Sequence, residues 1–107
     1  MANTETKNTS RIVGKIDTTG ATGAITVKGS KLLDVSVDFD TNSFVGTITL
    51  QRETATGASN IAEWADVESY TASAEKVAQS ATTRRYRLNA TVTSGTAEYE
   101  LTAGNFS

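Results

Sequence analysis

Apolar and polar positions alternate with a period of two from Ile25 to near the C-terminal end. In "AITVKG", Ile25 and Val27 share one face of a short strand. The segment "KLLDVSVDFD" is the cleanest case. There Leu33, Val35, Val37 and Phe39 alternate with Asp34, Ser36 and Asp38, so one face looks into a core and the other into solvent. "FVGTITLQRE" puts Phe44, Gly46, Ile48 and Leu50 on one face, and "RRYRLNATV" does the same with Tyr86, Leu88, Ala90 and Val92. "AEYELTA" alternates Ala97, Tyr99 and Leu101 with Glu98 and Glu100. The clusters "DTNS" and "TSGT" carry turn chemistry and predict reversals between these strands. A hairpin at Ser94–Gly95 would set Arg85 and Arg87 opposite Glu98 and Glu100 as cross-strand ion pairs. The segment "ASAEKVAQSAT" has some helix-forming residues but is short and weakly apolar; it predicts a strand or loop crossing between sheets.

This pattern predicts an all-β fold: an antiparallel β-sandwich, Ig-like or jelly-roll-like, of about six to eight short strands. Residues 1–22 lack an apolar stripe and predict an extended polar N-terminal arm, with residues 23–107 forming the sandwich domain. Nineteen threonines fit this picture, because a branched Cβ suits a pleated, half-exposed surface.

At 107 residues the chain suffices for one domain with a modest core. Its formal net charge of −2 gives no general electrostatic reason to bind nucleic acid or an anionic membrane. No cysteine and no histidine is present. That removes thiolate chemistry, disulfides, the commonest general base and the commonest transition-metal ligand. The N-terminal stretch lacks the apolar centre of a secretory signal, which predicts synthesis in the cytoplasm.

No catalytic set emerges, so the expectation is a protein that is not an enzyme and carries no cofactor. Ser30–Lys31 and Ser73 with Lys76 are the nearest nucleophile–base pairs, and both sit in ordinary loop context. Asp38, Asp40 and Asn42 have the spacing that opens a calcium loop, but Ser43 replaces the glycine of such loops and the distal glutamate is missing. A strand-ending turn is the expectation there, with no metal. The sequons at Asn8, Asn89 and Asn105 follow from the abundance of Thr and Ser.

Trp64 is the only tryptophan. Strict alternation in "AEWADVESYT" sets Trp64 and Val67 on opposite faces, and a bulge between them would bury both. Trp64 is then a core or subunit-contact residue. The other reading is an exposed carbohydrate platform formed by Trp64 and Tyr70.

The order of motifs resembles small virion proteins of tailed bacteriophages. Those proteins run G-x-(I/V)-T-(L/V)-Q-R, a loop, W-x-D-V-x-x-Y-T, a Glu-bearing crossover, Y-R-(L/F) and T-S-G-T. The matching positions are 46–52, 64–67, 70–71, Glu75, 86–88 and 94–96, within residues 44–102. The loop "ETATGASNIAE" departs from the usual Asp-Gly-Gly type. The resemblance implies a structural protein on the capsid surface of a virion, decorating or stabilising the head without enzymatic activity. Its implied partners are the major capsid protein and copies of itself, as a homo-oligomer for which a trimer is one candidate. Lys7, Arg11, Ile12 and Lys15 of the arm are the contact candidates for capsid or neighbouring subunit. A carbohydrate- or surface-binding module, and a tail or connector component, are the alternative readings.

Overall fold

The computed structural model describes residues 4–7, 11–28, 31–53, 64–79 and 84–104. Eight strands form one sheet: β1 (Thr4–Lys7), β2 (Arg11–Ile16), β3 (Gly20–Ala21), β4 (Ile25–Val27), β5 (Leu32–Glu53), β6 (Trp64–Tyr70), β7 (Ala74–Gln79) and β8 (Arg84–Ala103). Every pairing is antiparallel. The described residues hold no helix, as the alternating pattern predicts.

The spine of the sheet is the pair β5–β8. These strands, 22 and 20 residues long, run side by side from Leu33↔Ala103 to Arg52↔Tyr86. Here the sequence expectation is corrected. "DTNS" and "TSGT" do not reverse the chain; Asn42 lies opposite Thr96, and both strands bend at the same level. The register shifts between Asp38 and Gly46 mark this bend, where Ser43 and Gly95 have left-handed backbone (φ 53° and 77°). Turn-forming residues serve bulges and bends as well as hairpins, because all three need the same unusual dihedrals.

The bend divides the sheet into halves. In the first, β2, the C-terminal part of β8, the N-terminal part of β5 and β7 lie side by side, with β1 beyond β2. In the second, β3 and β4 flank the N-terminal part of β8, followed by the C-terminal part of β5 and β6. The inward rows of both halves merge into one apolar cluster. Ile12, Ile16, Leu33, Val35, Val37, Tyr99 and Leu101 come from the first half; Ile25, Val27, Ile48, Leu50, Tyr70, Tyr86 and Leu88 from the second. Phe39 and Phe44 stand on either side of the bend and meet edge to face at 4.8 Å. At the opposite margin, Lys76 Nζ of β7 lies 2.7 Å from Glu68 Oε1 of β6 and ties the two halves together. Residues 71–73 make the crossing from β6 to β7, and the described part of "ASAEKVAQSAT", expected as a strand or loop, is mostly strand β7.

The division into an arm (1–22) and a domain (23–107) does not follow the sheet. β2 is bonded to β8 along its whole length, and Ile12 and Ile16 are fully buried. The inward row of this strand is Ile12, Gly14, Ile16, and the glycine at its centre hides the alternation. The expected ion pairs of Arg85 and Arg87 with Glu98 and Glu100 are also absent. Without a hairpin these residues sit in opposite halves of one strand. Arg85 pairs instead with Glu53 of β5, and Arg11 of β2 with Glu100.

Candidate functional site

The outward face of the second half carries the most connected side-chain arrangement. Three neighbouring strands supply it. Gln51 of β5 lies between Arg87 of β8 and Asp66 of β6, and two residues along, Glu53 lies opposite Trp64. Directly opposed residues share a face, so these side chains all point outward.

Gln51 is the hinge of the group. Although it is on the solvent-facing row, it is only 8% exposed. A buried amide needs partners on both sides. Its Oε1 accepts from Arg87 Nε at 2.8 Å, and its Nε2 donates to Asp66 Oδ1 at 2.9 Å. Arg87 reaches across Gln51, and its guanidinium carbon stands 4.3 Å from the centroid of the Trp64 ring. Arg85 stands 5.7 Å from the same centroid. Its Nε donates to Glu53 Oε2 at 3.1 Å, and a second nitrogen of the same guanidinium bonds the same oxygen. This hydrogen-bonded pair holds the Glu53 carboxyl below its usual range and raises the Arg85 guanidinium. Further along the face, Thr49 and Ser69 share a hydroxyl–hydroxyl bond at 2.9 Å.

The β5–β6 ladder skips Val67, pairing Leu50 with Glu68 and Gln51 with Asp66. The bulge thus falls at Val67 itself, between Asp66 and Glu68, rather than between Trp64 and Val67 as expected, and it buries neither side chain. Val67 is 46% exposed and Trp64 is partly exposed. The bulge turns Trp64 toward Arg87 rather than into the core. Tyr70 is buried on the inward face opposite Ile48. Trp64 and Tyr70 therefore do not form a joint platform, and a ring already facing Arg87 has that face occupied. Burial and the nearby Glu68 carboxylate push the Tyr70 phenol up to about 12.

The other sequence candidates scatter. Ile12 is a core residue. Arg11 is exposed and paired with Glu100. Lys15 is exposed, on the same row as Glu98. Lys7 belongs to β1, and its side chain lies outside the described residues. The outward face of the first half holds a shallow groove of about 230 Å³ lined by Val13, Gly14, Ser36, Asp38, Glu98, Tyr99 and Glu100.

The Asp38–Asn42 segment is a self-capped bend. Asp38 Oδ1 accepts from the backbone N–H of Asp40 (2.9 Å) and Thr41 (3.2 Å), and its other oxygen from the Thr41 hydroxyl. The Thr41 hydroxyl, followed by these two amides, keeps the Asp38 carboxyl below its ordinary value. Asn42 donates to Glu98 at 3.2 Å. Ser73 Oγ accepts from Phe39 N at 2.8 Å and donates to Asp40 at 3.2 Å. Its expected partner Lys76 is engaged with Glu68 instead. Among the described residues no group of three or more His, Cys, Asp or Glu side chains is placed to hold a metal.

Sequence reasoning singled out Trp64 but missed Gln51, Asp66 and Arg87. The usable signal was Gln51, a long amide on the outward row of a central strand, where its neighbours in register are the only partners in reach. The chain matches no protein-family model, and no curated protein matches it in sequence.

Proposed function

We propose that the chain is a structural, non-enzymatic virion protein that binds the outside of a phage capsid and decorates or stabilises it. One observation carries this reading. The motifs that resemble small virion proteins converge in space. Gln51 is the next-to-last residue of the first motif, Trp64 and Asp66 open the second, and Arg87 is the centre of Y-R-L. These four residues, from three strands, build one bonded and stacked group on an outward sheet face.

The remaining chemistry agrees. Glu53, Glu68 and Glu100 are used in ion pairs, Asp38 caps a bend, and Asp66 is held by Gln51. A polar outward face acts by contact, and weak contacts suffice for a protein present in many copies on one lattice.

Co-sedimentation of the purified protein with capsids of the encoding phage tests the proposal. Saturation at a copy number set by the capsid lattice supports decoration. Binding of only a few copies per particle reassigns the protein to a tail or connector component, and no binding overturns the reading.

A further inference from the structure

We infer that Arg87, braced on Trp64, is a recognition point for a carboxylate carried by a protein partner. The inference deepens the docking role proposed above by naming the chemistry of one contact.

Two arginines lie side by side on this face, and their circumstances differ. Arg85 is neutralised by Glu53 through two nitrogens. Arg87 has no carboxylate partner among the described residues. Asp66, the acid in reach of its row, is bonded to the Gln51 amide. Among the described residues only Nε of Arg87 is engaged, by the neutral Gln51 Oε1. Arg87 is partly buried, and its guanidinium carbon rests 4.3 Å from the Trp64 centroid. Stacking on the indole leaves the cation without a counter-charge.

The geometry also prepares a binding group. Arginine ordinarily gives up rotamer freedom when it grips a ligand. Here the Nε bond fixes the side chain's direction, and the indole stacks against the guanidinium. The two terminal nitrogens are left as a pre-oriented fork, which matches the two oxygens of a carboxylate. A second shell supports it, since Gln51 is itself held by Asp66. The fork stands on an outward sheet face, which admits an acidic side chain projecting from another protein.

Trp64 is the chain's only tryptophan, so its emission reports on this site alone. The probe is poly-L-glutamate at low ionic strength, with dextran sulfate as the comparison anion. The expected result is a saturable change in Trp64 emission with polyglutamate. Arg87→Lys keeps the charge but loses the fork, and it should raise the half-saturation concentration about tenfold. Lys28→Gln, which removes an exposed charge next to β4 without touching Gln51, Trp64 or Arg87, should leave it unchanged. An unaltered half-saturation in Arg87→Lys overturns the proposal. So does a response to dextran sulfate with none to polyglutamate, which would reassign the fork to sulfate esters. A wild-type measurement needs no variant to fold: glutarate should shift the Arg87 Nε–H and Trp64 indole N–H resonances, and unmoved signals overturn the site. Glutamate binding by a chain that does not sediment with capsids supports the carboxylate site and overturns the virion reading alone.

Discussion

Gly95 occupies the left-handed region at φ 77°, at the level where β5 and β8 bend together. A Cβ there would stand 2.3 Å from the Ser43 carbonyl oxygen, which is backbone and cannot swing aside. Both the dihedral and the space therefore require glycine. Gly95→Ala is expected to cost about 1–3 kcal/mol, read as a lowered urea midpoint at unchanged slope. Gly46 is under a similar restriction: its Cβ would meet the Thr91 carbonyl oxygen at 2.2 Å. Tyr70 makes a second prediction at this scale. Its phenol is raised from an ordinary 10.0 to about 12 by burial and by Glu68. Between those values the unfolded chain has lost a proton that the folded chain keeps. Stability from this group is thus complete below pH 10 and falls as pH rises toward 12. Unfolding midpoints measured at pH 9 and pH 11 should drop less in Tyr70→Phe than in the wild type. An equal drop in the two proteins would show that Tyr70 is not the group responsible.

Among the described residues β6 is an edge strand, bonded on one side only, to β5, and interrupted by a bulge at Val67. Such a strand has few means of staying attached. Gln51, Asp66 and the Trp64–Arg87 stack act as a clasp that crosses β5 and anchors β6 to β8. Trp64→Ala should cost about 1–2 kcal/mol. More diagnostically, amide exchange should rise along residues 65–70 well beyond any rise in β8. Uniform acceleration across the sheet would mean that the ring supports the whole fold rather than this edge. Elements of this kind also mark how far the sequence could be read. The inward rows of β4, β5 and β8 were legible because alternation of large apolar residues has one structural meaning. The bend was not, because Asn, Ser and Gly supply the same dihedrals to a hairpin and to a kinked pair of long strands. Strand β2 escaped notice because Gly14 interrupts the row between Ile12 and Ile16. Trp64 could be singled out by its rarity, but its partners lie on other strands. Their meeting depends on a register that no local pattern encodes.

Across the whole molecule the spine β5–β8 is covered at one end by β2 and at the other by β3 and β4. The N-terminal segment is therefore part of the closure of the core, and the consequence can be estimated. Ile12 and Ile16 are fully buried, and each contributes roughly 1.5–3 kcal/mol through burial of its side chain. Removing residues 1–16 would withdraw about 3–6 kcal/mol and uncover the inward row of β8 around Leu101. A domain of this size has about 5–15 kcal/mol in total. The truncated chain should thus show a broad or much lowered thermal transition, with increased binding of a hydrophobic dye. The exposed Lys15 offers a milder probe. Lys15→Gln removes a charge without disturbing the buried row and should shift stability by no more than about 0.5 kcal/mol. Capsid binding retained by Lys15→Gln but lost on truncation would then trace to the fold, not to a contact made by this segment. A truncated chain that melts like the full one would refute the assignment of β2 to the core, and would return residues 1–16 to the role of a separable arm.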